Sequence, residues 1–303
     1  MKIGFSTGFA ALGNYWGEWP FTVGMMGGSE RILTEVAREF AKTHGVVVRL
    51  PYMFPPSDDH TRRQWGVTWV DSDSPARDVD ILFAVDDYEP RDNAPVSVLV
   101  ACRSDPPPHT DFTRLIFLSQ HHATLMGHPG APYVGGGVDL ADYLVPLPRV
   151  PRRVISTSSP DRCPAAMSIL RSFDGVHSYR PVAGVGNEMS RADLVALQKT
   201  AMVHVYPLDP IRPSDFFSMS VLESMAAGTP VIVSDADAMP ELWSDAAVML
   251  ARPIRLAEWV ETTEDLLANK RLWKRHAELG RKKAAGYTWA KQAAKYLAIA
   301  VGD

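Results

Sequence analysis

Ser214-Asp-Phe-Phe-Ser-Met-Ser-Val-Leu-Glu-Ser-Met-Ala-Ala-Gly-Thr-Pro-Val-Ile-Val-Ser-Asp-Ala-Asp-Ala-Met-Pro-Glu241 reads as loop, helix, turn, strand and turn. One acid, Asp215, stands in the loop. A second, Glu223, lies inside a helix whose other residues include Met219, Val221, Leu222, Met225, Ala226 and Ala227. So apolar a helix leaves little solvated face, and a carboxylate buried in it is costly without partners. The nearby helix start offers unpaired N–H groups and a positive dipole end, which suit a phosphate. The segment therefore predicts a pocket for a ligand carrying both phosphates and hydroxyls.

Outward from this stretch the chain reads as two α/β halves. In the first, Lys2 to Ser6 predicts a strand, followed by a Gly- and aromatic-rich loop from Thr7 to Gly28 with Trp16, Trp19 and Phe21. Ser29 to Thr43 predicts an amphipathic helix with Ile32, Leu33, Val36 and Phe40 on one face, Ser29 as N-cap and Gly45 as stop. Val46 to Leu50, Asp80 to Ala84, Ser97 to Cys102 and Leu115 to Ser119 read as short buried strands. His121 to Met126 reads as a short helix. Apolar runs of this length alternating with helices predict a parallel sheet covered on both faces.

A Pro/Arg-rich connector, Pro146 to Arg153, suggests the boundary between the halves. Beyond it, Val154 to Ser156, Arg180 to Gly184 and Met202 to Tyr206 read as strands. Ala165 to Phe173, Arg191 to Thr200, Leu256 to Ala268 and Trp289 to Val301 read as helices. The basic run Lys270 to Lys283 reads as a solvated helical face, with contact to anionic lipid or nucleic acid left open.

The 303 residues exceed one ordinary domain, with 46% hydrophobic and 22% charged residues as in a globular enzyme. A net charge of -4 provides no broad attraction to nucleic acid or anionic membrane. The two cysteines, Cys102 and Cys163, lack metal-like spacing and suggest a reducing compartment. Neither a signal peptide nor a membrane-spanning run is visible, so the expectation is a cytoplasmic protein, with peripheral membrane association left open. There is no Gly-x-Ser-x-Gly elbow, P-loop or His-Glu-x-x-His motif, and Gly184-Val185-Gly186 lacks the third glycine of a dinucleotide fingerprint.

The 214–241 stretch resembles the signature of retaining GT-B glycosyltransferases of the GT4 type, also called glycosyl transferases group 1. Asp215 takes the place of that signature's first Glu, and Glu223 matches the second; Met225, Ala226, Gly228, Pro230, Val231, Ser234, Pro240 and Glu241 also fit. Met26-Gly27-Gly28-Ser29-Glu30-Arg31 resembles the family's Gly-Gly-x-Glu-Arg run. Gly136-Gly137-Val138-Asp139-Leu140 resembles the segment before its linker, and Tyr287-Thr288-Trp289 its last-helix entry. Ser156 to Cys163 resembles the donor-phosphate loop, with Ser156-Thr157 in place of Gly-Arg, Arg162 in place of Lys and Cys163 in place of Gly.

The resemblance implies a GT-B fold of two Rossmann-like doubly wound domains. It assigns residues 1–148 to the acceptor side, 149–286 to the donor nucleotide, and 287–303 to a helix packing back on the first domain. It implies metal-independent transfer, with retention, from a nucleotide-diphosphate sugar to an acceptor hydroxyl, without a cofactor. Asp215, Arg162 and Glu223 would be catalytic, and Gly27, Gly28, Ser158, Phe217, Ser218, Met219 and Ser220 would join Arg162 and Glu223 around the donor. Arg103 and His109 are candidates near the sugar or acceptor, and His121 and His122 fall in the same region. Asp71-Ser72-Asp73 and Asp235-Ala236-Asp237 read as turns, not metal sites. Three alternatives stay open: transfer to a modified nucleic-acid base, a nucleotide-sugar-binding protein with weak or lost catalysis, and an epimerase of the same fold.

Overall fold

The computed structural model describes residues 1–7, 28–50, 61–71, 74–90, 92–105, 111–157, 162–177, 190–209 and 215–302. These form two compact units: Met1–Gly136 with Trp289–Asp303, and Gly137–Thr288. The segment from Gly137 to Arg149, expected before the boundary, packs with the second unit. Its side chains explain this. Lys199 and Arg191 bond to Asp142, Tyr143 donates to Gln198, and Arg149 donates to the carbonyls of Gln198, Ala201, Ala227 and Gly228.

The first unit is built on strands β1 (Lys2–Thr7), β2 (Gly45–Leu50), β3 (Thr61–Gln64), β4 (Val67–Asp71), β5 (Ile81–Val85), β6 (Val96–Val100) and β7 (Arg114–Ile116). Their order in the sheet is β3-β4-β2-β1-β5-β6-β7. Pairing is parallel apart from the β3–β4 hairpin. Every residue of β5 is buried, as expected for a strand covered on both faces. The hairpin has no counterpart among the strands expected from sequence. Its turn is Trp65-Gly66, both with positive φ (54° and 77°), the geometry that matches strand twist in a two-residue hairpin.

Helix α1 (Gly28–Phe40) buries Ile32, Leu33, Val36, Ala37 and Phe40. It begins one residue before Ser29, which therefore lies within the first turn and is not the cap. It also ends before Thr43: Thr43 and His44 both donate to the Phe40 carbonyl in a closing turn. Phe83 of β5 stacks on Phe5 at 5.2 Å and meets Phe40 at 5.7 Å. Helix α2 (Gln120–Leu125) is capped by the Ser119 side chain.

In the second unit, β8 (Arg153–Ser156), β9 (Asp174–His177), β10 (Val203–Tyr206), β11 (Val231–Ser234) and β12 (Val248–Leu250) form a parallel sheet. The order is β12-β11-β10-β8-β9. The strand expected at Arg180 to Gly184 lies outside the described residues. The β9 edge went unforeseen because Asp174-Gly175-Val176-His177 has little apolar content. Helices α3 (Ala166–Leu170), α4 (Arg191–Thr200), α5 (Met219–Ala226), α6 (Met239–Trp243), α7 (Leu256–Ala268) and α8 (Lys270–Ala284) complete the unit. Val154, Ile169, Val203, Val205, Ile232, Trp259 and Leu266 share its core. Trp289–Val301 forms α9, which belongs to the first unit.

Candidate functional site

The second unit brings two polar clusters to the two ends of the 215–223 segment. Asp215 precedes α5, and Ser218 caps that helix by accepting from the Val221 N–H. The first-turn N–H groups of such a helix have no intrahelical partner. Glu223 follows in the second turn. Glu223 has Leu222, Ser224 and Met225 as buried neighbours on the same helix.

Around Asp215 the carboxylate is 3% exposed and accepts the Tyr206 hydroxyl at Oδ2. Arg162 Nη1 lies 3.9 Å from the same oxygen. The Asp215 N–H donates to Asp237 Oδ2 at 3.1 Å. Burial raises the carboxyl above the usual Asp range; Arg162 and the Tyr206 hydroxyl pull it back, and Asp237 opposes them. Burial weakens the Arg162 cation, but Asp215 outweighs that and its net shift is upward. The Arg162 side chain remains 47% exposed, so the ion pair has a solvent side.

The second cluster is a ring. Arg191 Nη1 donates to Glu223 Oε1 at 2.7 Å, and Gln198 Nε2 donates to Oε2 at 3.3 Å. The Tyr143 hydroxyl donates to Gln198 Oε1 at 2.9 Å and accepts from Arg191 Nη2 at 3.2 Å. Arg191 Nη2 also reaches Asp142 Oδ2 at 3.0 Å. The carboxylate is thus buried with partners, as the apolar helix requires. Arg191 is held protonated: burial opposes the charge, but Glu223, Tyr143 and Asp142 outweigh it.

Among the other expected residues, Phe217 is packed on Trp243 at 5.4 Å and Tyr287 at 5.7 Å, so its side chain is structural and only its backbone can serve a ligand. Met219 and Ser220 are half-buried in the first turn of α5. Thr157, where the resemblance implies a cation, contacts His204 Nε2 at 3.2 Å. Burial lowers His204 to about 3, so it is neutral there. Gly28 opens α1 in the first unit. Arg103, also in the first unit, pairs with Asp105 at 2.8 Å. His122 is a core residue, lowered to about 4 by burial, with Nε2 2.8 Å from the Arg103 carbonyl oxygen. Gly27, Ser158, His109, Trp16, Trp19, Ser72, Asp73 and Gly184-Val185-Gly186 lie outside the described residues. Among the described residues no group of three or more His, Cys, Asp and Glu side chains could hold a metal.

Sequence reasoning missed Arg191, Gln198, Tyr206, Asp142 and Tyr143. Arg191 and Gln198 are seven apart on one predicted helix and so share a face, the one available signal. Nothing in the sequence placed that face against Glu223.

The fold and these clusters define a two-domain GT-B protein. Residues 172–269 match the family profile described as Glycosyl transferases group 1. The chain is similar in structure to AviGT4, a glycosyltransferase involved in avilamycin A biosynthesis, at a TM-score of 0.70 and 14% identity, covering 100% of this chain and 99% of that one. It is also similar to sucrose-phosphate synthase from Thermosynechococcus elongatus, at 0.68 and 11%, covering 99% and 98%. HepE of Anabaena, solved in complex with UDP-glucose, is similar at 0.64 and 14%, covering 99% and 100%. No curated protein matches by sequence. No helix among the described residues is long and apolar enough to cross a membrane.

Proposed function

We propose that this protein is a GT4-type glycosyltransferase that moves a sugar from a nucleotide-diphosphate donor to an acceptor hydroxyl, with retention and without a metal. The observation that carries this is the pairing of each signature carboxylate with its own arginine: Asp215 with Arg162 and Glu223 with Arg191, on either side of the α5 start. The complex of HepE with UDP-glucose supports a sugar nucleotide as donor.

In this reading the donor diphosphate lies against Arg162 and the first-turn N–H groups of α5. As the bond from the anomeric carbon to the diphosphate breaks, charge grows on the leaving oxygens, and these fixed donors stabilise it. Arg162 can chelate two oxygens at once. Glu223 accepts hydrogen bonds from ribose hydroxyls through the lone pairs its two ring partners leave over. Asp215 orients the donor sugar and keeps Arg162 in place.

Thermal shift with uridine, guanosine, adenosine and thymidine diphosphates tests the donor class, because a ligand of the folded state raises its stability. At least one should raise the melting temperature. Arg162→Ala should weaken that nucleotide roughly ten- to a hundredfold, the worth of a charged hydrogen bond. No stabilisation by any nucleoside diphosphate would remove the reading. Chelator should leave turnover unchanged; loss of turnover restored by manganese would refute metal independence.

A second reading, a sugar-nucleotide-binding protein with weak catalysis, draws on the Tyr206–Asp215 bond and the neutral Thr157–His204 pair, which occupy positions where transfer needs charge. Binding without turnover across an acceptor panel would favour it.

A further inference from the structure

We infer that Arg191 is a positioning residue for donor binding: it fixes the Glu223 carboxylate, ionised and in one rotation, so that its remaining lone pairs meet the ribose. The inference rests on the reading that Glu223 takes the ribose hydroxyls.

The four-membered ring carries the argument. Arg191 donates to one oxygen of Glu223 and Gln198 to the other. Tyr143 closes the circuit from Gln198 back to Arg191. Both oxygens are therefore pinned, and the carboxylate plane cannot turn without breaking two bonds. The ring also settles the Gln198 amide, with its oxygen toward Tyr143 and its nitrogen toward Glu223. A carboxylate fixed this way gives up no rotational freedom when a ligand arrives.

Charge points to the class of ligand group. One guanidinium serves two carboxylates, Asp142 and Glu223, so the cluster keeps one net negative charge. Such a cluster repels phosphate and favours hydroxyl donors. The inner carboxylate is sealed at 3% side-chain exposure, while Arg191 at 21% and Asp142 at 38% form the outer edge. Local sequence holds the guanidinium in place: Ser190 caps α4 by accepting from Asp193, so Arg191 is the first residue of a fixed helix.

The test compares two probes by calorimetry. One is whichever of uridine, guanosine or adenosine diphosphate most stabilises the wild type; the other is its 2′,3′-dideoxy form, which lacks the ribose hydroxyls. The wild type should prefer the hydroxylated form roughly tenfold or more. Glu223→Gln and Arg191→Gln should each bring the preference close to unity while leaving dideoxy binding nearly unchanged. Arg191→Lys should restore part of it, and Asp142→Asn should keep it. Tyr143→Phe opens the ring without touching the ion pair and should lower the preference a few-fold, so it serves if Arg191→Gln does not fold. A wild type that binds both forms equally, or neither, overturns the ribose role of Glu223 and this inference with it. A preference lost in Glu223→Gln but intact in Arg191→Gln and Tyr143→Phe overturns the inference alone. Equal weakening of both probes in Arg191→Gln also overturns it, since that marks a phosphate contact or a general structural role.

Discussion

Asp86 follows β5 with a left-handed backbone (φ 46°) and a side chain whose Oδ2 has no hydrogen-bond partner. Its Oδ1 accepts from the Cys102 N–H at 2.8 Å. Burial raises its pKa to about 6, and the nearby Arg103 recovers part of that cost. The folded state therefore holds a proton more tightly than the unfolded chain. Stability should be full below about pH 4, fall as pH rises toward about 6, and level off above. The loss amounts to about 3 kcal/mol at most, from 1.36 kcal/mol per unit. Asp86→Asn keeps an acceptor for Cys102 and removes the titration. Urea unfolding at pH 4 and pH 8 should show the variant gaining on the wild type at the higher pH. A wild type equally stable at both pH values, with the variant unchanged in its difference, would refute this. At the same scale, the signature exposed Asp215 and Glu223 because acids at fixed spacing in an apolar context are conspicuous. Their partners were not, since Arg162, Arg191, Tyr206 and Tyr143 are ordinary residues until folding places them within reach.

Helix α5 ends in a Schellman motif. Gly228 N donates to the Met225 carbonyl and Thr229 N to the Ser224 carbonyl, both at 2.9 Å, with Gly228 at φ +67°. A Cβ at Gly228 would stand 2.2 Å from the Arg281 guanidinium, the movable end of a long side chain. The lasting cost of Gly228→Ala is therefore the left-handed backbone, about 1–2 kcal/mol. Chemical denaturation should register that loss with an unchanged m-value. A stability equal to the wild type would mean the turn relaxes out of its left-handed form. Elements with strong apolar periodicity, such as α1 and β5, were legible in sequence. The β3–β4 hairpin, β9 and β12 were not, because short edge strands have few buried residues and take their form from the strand beside them.

The division of the whole chain follows contacts more than composition. Helix α9, at the far end of the sequence, supplies the first unit with Tyr296, which is 1% exposed. Its ring meets Phe83 edge-on at 6.2 Å, and its hydroxyl donates to the Val134 carbonyl at 3.0 Å. Removing Trp289–Asp303 should uncover Phe83 and leave that carbonyl without its donor. Burying one large apolar side chain contributes about 1.5–3 kcal/mol, and Trp289, Ala293, Tyr296 and Ala300 are all buried. Hydrogen exchange on the truncated protein should therefore show lost protection across β1, β5 and β6, with β10 and β11 of the second unit retained. Equal protection of both units would show that α9 contributes nothing to the first.

The sequence by itself determined the α/β class, the two halves and the segment that carries the candidate site. Apolar periodicity, glycine at a turn and acids in an apolar helix are local facts, each readable within a few turns of chain. Only the tertiary structure decided which arginine holds which carboxylate and on which side of the boundary Gly137 to Arg149 packs. It also decided that Thr157 faces a neutral histidine and that α9 completes the first sheet. Those outcomes depend on groups far apart in sequence, such as Asp142, Arg191 and Glu223, whose approach is set by sheet order and helix packing and leaves no mark on local pattern.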